Sequence, residues 1–413
     1  MAASLSNIAL LIAIVAMSTM APVAPEAANV VWLACGVVGL LLLRQRDLVL
    51  FRRPVVWMSL AALALIAVAY VAGSRSPTGL IGLAYFAPLF AIWPLVAAAR
   101  GAATPGFGQM EWSLLVGVLA LCGAAGAMVV AVGEVATTMT QRAGDTVANP
   151  IHFADVALMT GVLSTAGLLS RTKGRYVFLL GPAMALAAVI LSGTRGAVVA
   201  AAIMLLVAII GAAVLRLISL KRVLLLTGSL IVIGAVGIVV GASQLSGIQR
   251  VLYDIGEIMR AGIPTDGATS LRLQMYLGGL RAFLQSPIYG HGPLDFTSVA
   301  AALADTPFEN APHLHNDLAD FAASAGIIGL VSYVLLVLAP IAEVLSAPAS
   351  PARSQLLVLA TTLVIGFVVM GLTNAMFGIL TVTTCFAGLC VVAGLLTGLT
   401  ADHREDAPIP AAQ

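Results

Sequence analysis

Charged residues are scarce in this chain. Only 9% of the 413 residues are Asp, Glu, Lys or Arg, whereas a soluble domain carries about 25%. Hydrophobic residues make up 61%, and the mean hydropathy is +1.06. This composition excludes an ordinary soluble enzyme and predicts an all-α polytopic membrane protein. A net charge of +2 without a basic run gives no reason to expect nucleic-acid binding.

Other absences narrow the function further. All four cysteines lie inside apolar runs, which is typical of small core residues rather than of disulfides or metal ligands. No HExxH pattern or cysteine pair is present, so we expect neither a metal nor another cofactor. The first apolar run, from Ser4 to about Val23, lacks a basic n-region and is interpreted as a first span rather than a signal peptide.

Long apolar runs dominate the chain. A membrane span needs roughly 20 apolar residues, and windows of that length predict twelve spans, at about 4–23, 27–43, 54–73, 78–98, 112–133, 151–170, 175–193, 196–215, 223–243, 318–342, 355–373 and 378–399. The predicted organisation is spans one to nine over 1–243, a cap over 244–317, spans ten to twelve over 318–400, and a polar tail over 401–413.

The basic residues predict the orientation, because Lys and Arg favour cytoplasmic loops. Alternating short loops carry 12 basic residues on one side and 3 on the other, the three being Arg75, Arg142 and Arg195. Both termini and the tail are therefore expected in the cytoplasm. The 244–317 cap, the 134–150 loop and the turn at Arg195 are expected outside, which is the periplasm in a Gram-negative host.

Two arginines are candidates for binding an anion. Arg195 lies between Gly193 and Gly196 at the predicted tip of a hairpin, and guanidinium binds phosphate in a bidentate fork. The alternative is an interfacial arginine that marks a turn. Arg272 lies in the first turn of a helix predicted from Ser270, its possible N-cap, to Pro287. A solvated amphipathic helix remains the alternative there.

Other polar residues near these arginines are candidates for supporting roles. Tyr276 lies one turn after Arg272 on the same side of the predicted helix, and Arg281 lies about 180° around it. Arg281 should therefore face something other than the Arg272 ligand. Asp155 is a carboxylate one turn into an apolar run, where such residues usually pair or line a cavity. Arg195 or Arg272 are its possible partners, and His152 is expected to line the same cavity.

The cap ends in a histidine-rich segment at the predicted outer membrane boundary. His313 and His315 are two residues apart and would point to opposite sides of an extended chain. Histidine is a common general base near neutral pH. Asn316 or Asp317 is a plausible N-cap for the next span, and Asp317 with Asp320 suits the first turn of a helix. His291, between two glycines, is interpreted as a turn residue.

Four segments follow one another between residues 149 and 330. They are Asn149-Pro150-Ile151-His152-Phe153, Ser192-Gly193-Thr194-Arg195-Gly196, Arg272 and Arg281 with Pro287 and Gly290-His291-Gly292, and His315-Asn316-Asp317-Leu318 with Gly326-Ile327-Ile328-Gly329-Leu330. In this order they resemble the motifs of the O-antigen ligase and polymerase superfamily of bacterial inner membranes. One departure is Ala323-Ser324-Ala325, where many members carry an acidic residue. Its role would then fall to Asp317 or Asp320.

The resemblance implies a GT-C-like glycosyltransferase that works without a metal. Such an enzyme takes a glycan from an undecaprenyl diphosphate carrier and joins it to an acceptor hydroxyl outside the membrane, with inversion at the anomeric carbon. It implies that Arg195 and Arg272 bind the diphosphate and that His315 is the catalytic base. Arg281, Asp155, Tyr276, His313 and Asp317 are possible supporting residues.

Several functions fit these motifs. An O-antigen ligase, whose acceptor is lipid A–core oligosaccharide, is favoured by the Asn149–Phe153 segment and the moderate length. An O-antigen polymerase or a protein O-oligosaccharyltransferase of the same superfamily is the alternative. A secondary transporter or flippase would also suit twelve spans, but such proteins usually contain internal repeats, and we find none.

Overall fold

A computed structural model describes most of the chain. The described residues are 2–100, 111–138, 142–219, 267–309 and 311–402, with isolated positions at 221, 253, 256, 259 and 260. Within these ranges the chain is helical and contains no strand. Helices dominate because a helix satisfies its backbone N–H and C=O groups internally, as a lipid environment demands.

Thirteen main helices are numbered here in chain order. They are α1 (Ala2–Val15), α2 (Pro25–Leu41), α3 (Pro54–Ser74), α4 (Ile92–Arg100, preceded by a 3-10 segment Pro77–Ala91), α5 (Trp112–Thr138), α6 (Pro150–Leu163), α7 (Leu180–Ser192), α8 (Arg195–Val214), α9 (Gly267–Gln285), α10 (Gly292–Leu303), α11 (Asp317–Ser346), α12 (Pro351–Gly371) and α13 (Leu380–Asp402). Shorter 3-10 segments flank several of them, among them Ser164–Leu169 after α6 and Arg175–Leu179 before α7.

Nine of the predicted spans coincide with described helices that are long and apolar enough to cross a membrane. The chain is therefore a multi-pass membrane protein. The first predicted span is a shorter apolar helix, Leu5–Met20, that ends in a π-helical turn, and the second bends by 118° after Leu41. The predicted span at 223–243 lies outside the described residues, so the count of twelve stays a prediction.

The predicted hairpin between the seventh and eighth spans is present. Helix α7 ends at Ser192, Gly193 adopts a left-handed conformation (φ 65°), and α8 begins at Arg195. Only a residue without a Cβ adopts this conformation without strain. The two-residue break explains how one long apolar run forms two antiparallel helices.

Small residues let the helices approach closely. A Cβ on Gly161 of α6 would lie 2.3 Å from the Cβ of Ala185 on α7, and one on Gly366 of α12 would lie 2.3 Å from the sulfur of Met204 on α8. Close backbone approach is the usual means of helix association in membranes, where burial from water contributes little. These contacts fix the relative positions of the helices that carry the candidate site.

In the described part of the cap, from residue 267 onward, two helices, α9 and α10, form a small core. Its buried members are Met275, Ala282, Phe296, Ala300, Phe308, Leu314 and Ala323. Helix α9 begins at Gly267, so Ser270 lies inside the helix and the prediction that Ser270 is its N-cap is wrong. The sequence patterns gave no indication of α10. Because the core includes Ala323 of α11, the cap is fastened to the membrane helices.

A sharp turn after α9 docks onto a break in α11. At that break Gly326 has φ 64° and ψ −151°. Ile327 donates its backbone N–H to the carbonyl of Pro287 (2.8 Å), and His291 donates its own to Ala323 (2.9 Å). A Cβ on Gly326 would lie 2.4 Å from the backbone of Ile288. The glycine-rich motifs on both sides therefore have a packing role.

The loop between α12 and α13, residues 372–379, is anchored by the ring of Phe377. Its neighbours are Phe86, Phe321, Tyr333, Phe367 and Phe386, with ring centroids 4.8–6.5 Å away. Each such aromatic pair contributes roughly 0.5–1.5 kcal/mol beyond its buried area. Contacts with five aromatic rings therefore hold the loop in place.

A buried ion pair joins three helices at the opposite end of the bundle. Arg53, just before α3, pairs with Glu343 of α11 and donates hydrogen bonds to the carbonyl of Gly394 (2.7 Å) and the hydroxyl of Thr397 (2.6 Å) on α13. The Glu343 side chain is 0% exposed and that of Arg53 is 25% exposed. Removing one partner of such a pair leaves the other charge buried without compensation.

Arg53→Ala is therefore expected to destabilise the fold by roughly 3–5 kcal/mol, because the Glu343 carboxylate stays buried. The free energy of unfolding can be measured by SDS titration of the detergent-solubilised protein. Glu26→Ala, at an exposed site in α2, is the control. The double variant Arg53→Ala with Glu343→Ala should lose less stability than Arg53→Ala alone. An equal loss of stability in the single and the double variant would contradict this interpretation.

Candidate active site

Five elements meet at one end of the bundle. They are the N-terminal ends of α6, α8, α9 and α11, together with the 372–379 loop. This is the end predicted to face outward. The helix starts bring the sequence-predicted residues together, and the loop fills the space between them.

His315 has a strained backbone. Its φ is +54°, a left-handed conformation that non-glycine residues rarely adopt. Three contacts hold it there: Asp320 accepts the N–H of Leu314 (2.7 Å), His313 Nδ1 accepts the N–H of His315 (3.3 Å), and Tyr276 donates to the carbonyl of His315 (3.1 Å). Such strain persists only where the surroundings enforce it, and it is typical of functional sites.

The two histidine side chains do not point to opposite sides, contrary to the expectation from an extended chain. Their rings lie edge to face with centroids 4.3 Å apart. The left-handed turn at His315 is the reason, because it reverses the alternation of side chains. The two imidazoles form one cluster.

A chain of hydrogen bonds runs behind His315 into the bundle. His315 Nδ1 lies 3.4 Å from Oδ1 of Asn374, and Nδ2 of Asn374 donates to Oδ2 of Asp155 (3.1 Å). Both Asn374 and Asp155 are 1% exposed. The prediction that Asp155 pairs with Arg195 or Arg272 is therefore wrong: its partner is an amide, which supplies a buried carboxylate with a donor but no countercharge.

The carboxylates at the start of α11 hold backbone rather than side chains. Asp317 Oδ1 accepts the N–H groups of Met376 (2.8 Å) and Phe377 (3.1 Å), and Asp320 holds Leu314. Asn316 is the N-cap, since its side chain accepts the N–H of Ala319. Among the described residues, neither Asp317 nor Asp320 hydrogen-bonds an imidazole, and the hydrogen-bond partner of the His315 ring is Asn374 instead of the predicted carboxylate.

Arg195 is the first residue of α8, and the turn before it is firmly held. Thr194 donates from its hydroxyl to the carbonyl of Pro150 (3.2 Å), and Arg142 donates to the carbonyl of Ser192 (3.0 Å). A Cβ on Gly196 would lie 2.2 Å from Oγ1 of Thr373, so glycine lets α8 start directly against the 372–379 loop. A helix N-terminus favours anions, which adds to the charge of Arg195.

Arg272 lies on the face of α9 that meets this cluster. Arg195 approaches the hydroxyl of Thr269 at 3.5 Å, and Thr269 and Arg272 are three residues apart on one helix face. Tyr276, one turn further, bridges the carbonyls of His315 and Leu372 (3.1 and 3.3 Å). Arg272 therefore lies near enough to His315 to affect its pKa, and Arg195 reaches the same helix one turn earlier, at Thr269.

Two other predicted positions lie elsewhere. Arg281 donates to the carbonyl of Leu303 and to Asp305, both at 2.7 Å, so it closes the cap rather than facing the cluster. This ion pair raises the pKa of Arg281 and lowers that of Asp305. The ring of His291 contacts the carbonyl of Ala282 at 2.8 Å, as expected of a turn residue.

Burial and nearby positive charge keep the imidazoles of His313 and His315 neutral. Burial, with His315, His152 and Arg272 nearby, lowers the pKa of His313 to about 3. Burial and Arg272 also lower the pKa of His315, while the hydrogen bond with Asn374 opposes the shift. Burial raises the pKa of Tyr276. At neutral pH the cluster thus combines two cations with neutral imidazoles, a suitable arrangement for holding an anion beside a base.

Asn374 is the residue that the sequence did not reveal. A single amide between two apolar spans has no distinctive spacing, and only the fold brings it to His315. Within the described ranges, no group of three or more His, Cys, Asp or Glu side chains is arranged to hold a metal ion. The site as described offers proton transfer and anion binding.

Comparison with known proteins agrees with the motifs. A family model described as O-antigen ligase matches residues 180–334. The matched segment includes Arg195, Arg272 and His315, whereas Asp155 and Asn374 lie outside it. No curated protein matches the chain. The predicted resemblance is thus confirmed at the level of the family.

The electrostatics of the cluster can be tested by NMR of protein with labelled histidine. His313 should stay neutral between about pH 5 and 8, because its pKa lies below that range. Arg272→Gln should raise the pKa of both His313 and His315, since it removes a nearby positive charge. Arg281→Gln is the matched control and should leave both unchanged. A transition of wild-type His313 within that range would contradict the description.

Proposed function

We propose that this chain, whose residues 180–334 match a family model described as O-antigen ligase, is an O-antigen ligase. It transfers a glycan from an undecaprenyl diphosphate carrier to a hydroxyl of lipid A–core oligosaccharide. The reaction takes place on the periplasmic side of a bacterial inner membrane, and both termini are cytoplasmic. The observation that carries the proposal is the convergence of Arg195, Arg272 and His315 at one end of the bundle.

The arginines hold the diphosphate of the donor. Guanidinium forms charge-assisted bidentate hydrogen bonds with phosphate oxygens, and the N-terminus of α8 adds a further attraction for an anion. Negative charge grows on the diphosphate as its bond to the sugar breaks. Fixed cations at that position stabilise the transition state more than the ground state, which is what catalysis requires.

His315 accepts the proton of the acceptor hydroxyl. The hydroxyl oxygen bonds to the anomeric carbon, the bond from that carbon to the diphosphate oxygen breaks, and the proton passes to the imidazole. Undecaprenyl diphosphate leaves with the bonding electron pair. A single displacement of this kind inverts the anomeric configuration, and no metal or other cofactor enters the step.

Binding of the donor should strengthen the base. Arg272 lowers the pKa of His315 in the unliganded protein. A diphosphate on the arginines compensates their charge and thereby raises that pKa. His315 is thus neutral and ready before the donor binds, and becomes more basic when the donor is in place.

The function can be tested with purified protein in liposomes, defined carrier-linked glycan and rough lipopolysaccharide. His315→Ala should lower kcat on the order of 10²- to 10⁴-fold, because the general base is lost. Arg195→Gln and Arg272→Gln should lower kcat/KM for the donor by about 10²-fold or more. Arg281→Gln, whose arginine faces Asp305, is the matched control and should retain activity.

The products distinguish the alternatives. Glycan joined to lipopolysaccharide without any ion gradient supports the transferase and excludes a transporter. Growth of the carrier-linked glycan alone would indicate a polymerase, and transfer only to a protein would indicate a protein O-oligosaccharyltransferase. Full-length lipopolysaccharide made by His315→Ala at normal expression would overturn the assignment of the base.

A further inference from the structure

Two buried polar residues stand behind His315 and touch no expected substrate. Asn374 belongs to the 372–379 loop and Asp155 to α6, and each is 1% exposed. Both lie outside the segment 180–334 that matches the family model. Burying a polar group costs free energy unless it is hydrogen-bonded, so a pair of this kind at a site calls for an explanation.

The chemistry of the three groups determines which atoms carry protons. The NH₂ of Asn374 donates to Oδ2 of Asp155, which serves as the acceptor. The carbonyl oxygen of Asn374 then faces Nδ1 of His315. A carbonyl oxygen only accepts, so Nδ1 must carry the proton. A neutral imidazole has one ring proton, and Nε2 therefore keeps its lone pair.

We propose that Asn374 and Asp155 are positioning residues that hold His315 in the Nδ1–H tautomer, so that Nε2 is the atom that accepts the proton of the acceptor hydroxyl. The assignment rests on the proposed function. No described residue hydrogen-bonds Nε2. The distance of 3.4 Å to Asn374 is long, as is common for catalytic hydrogen bonds before a substrate binds.

The backbone strain at His315 fits the same role. A left-handed residue held by Asp320, His313 and Tyr276 fixes the main chain, whereas the contact with Asn374 reaches the ring itself. Residues that orient a functional imidazole through its other nitrogen fix its tautomer, and in metal sites their loss costs on the order of 10- to 100-fold in activity. The main chain and the ring are thus positioned by separate sets of groups.

An exchange of the two residues provides the sharpest test. Asn374→Asp alone places a second carboxylate against Asp155 and should impair the protein, because like charges at this distance do not both ionise readily. Adding Asp155→Asn restores the hydrogen bond in the reverse direction, with the amide at position 155 donating to the carboxylate at position 374. In the double variant the carboxylate at position 374 still accepts from Nδ1 of His315, so the tautomer is preserved and activity should return.

The double variant should also shift the pH profile of kcat/KM, which a purely structural role of the two residues would not change. The other titratable or charged groups around His315 are unchanged in the double variant. They are Arg195 on α8, Arg272 and Tyr276 on α9, His313 in the same turn, His152 on α6, and Asp317 and Asp320 on α11. A carboxylate beside Nδ1 stabilises the imidazolium, so the acid limb of kcat/KM should move to higher pH than in the wild type.

Asn374→Leu removes the oxygen that accepts a hydrogen bond from Nδ1 of His315 and puts an apolar side chain of similar size in its place. It should populate the Nε2–H tautomer and lower kcat about 10- to 100-fold, with little effect on the KM for the donor. The tautomer can be read without any substrate from the nitrogen chemical shifts of labelled His315. Asn29→Leu, which removes a buried amide bonded to Thr381 and Thr384, is the matched control for stability and should leave the His315 tautomer unchanged.

The outcomes separate this inference from the proposed function. Nδ1–H in the wild type, its loss in Asn374→Leu and its return with activity and a shifted pH profile in the exchange would support the positioning role. Wild-type His315 protonated on Nε2, or full activity with Asn374→Leu, would overturn it. A wild type with the Nδ1–H tautomer that does not transfer glycan would overturn the proposed function and leave the tautomer assignment standing.

Discussion

The candidate site depends on how the 372–379 loop is held between α12 and α13. Phe377 fixes its far end among aromatic rings, and Asp317 binds the backbone N–H groups of Met376 and Phe377. Residues 373 and 374, at the start of the loop, contact α8 and the turn that contains His315. Thr373 packs on Gly196 at the start of α8, and Asn374 contacts His315. A loop anchored this firmly positions side chains nearly as well as a helix, so the separate helix starts share one geometry.

The strained turn at His315 needs this support. The left-handed backbone of His315 costs of order 1–3 kcal/mol, and the hydrogen bonds around it contribute about 1 kcal/mol each. Asp320, His313 and Tyr276 together offset the strain while leaving the imidazole partly exposed. The cap contributes Tyr276 and Arg272, and it is itself fastened at the break in α11 around Gly326. The contacts that attach the cap to α11 therefore also bring Tyr276 and Arg272 to the site.

The sequence predicted the parts of this protein that are unusual in an apolar chain. Arg195, Arg272 and His315 stand out because charge and imidazole are rare there, and nine of the twelve spans predicted from the long apolar runs coincide with described helices. Asn374 was missed because an amide in a short loop is ordinary, and the partner of Asp155 was mistaken because spacing says nothing about contacts between distant helices. The turn at His315 was missed for a related reason: its φ of +54° is imposed by tertiary contacts and runs against its own preference. The motif glycines were noticed, but their close contacts with Ile288 and Thr373 emerge only from the packing.

Charged and uncharged residues have different roles at the site, because charges interact strongly in low-dielectric surroundings. A carboxylate beside His315 would raise the pKa of the imidazole and shift its neutral form to higher pH. An amide avoids this shift, since it orients the ring without adding charge, and Asp155 holds the amide from a buried position. In the proposed mechanism the arginines bind the diphosphate, whose charge compensates theirs. Burial and Arg272 lower the pKa of His315 before the donor binds, Asn374 orients the ring, and the bound donor raises that pKa again, so each requirement is met by a different group.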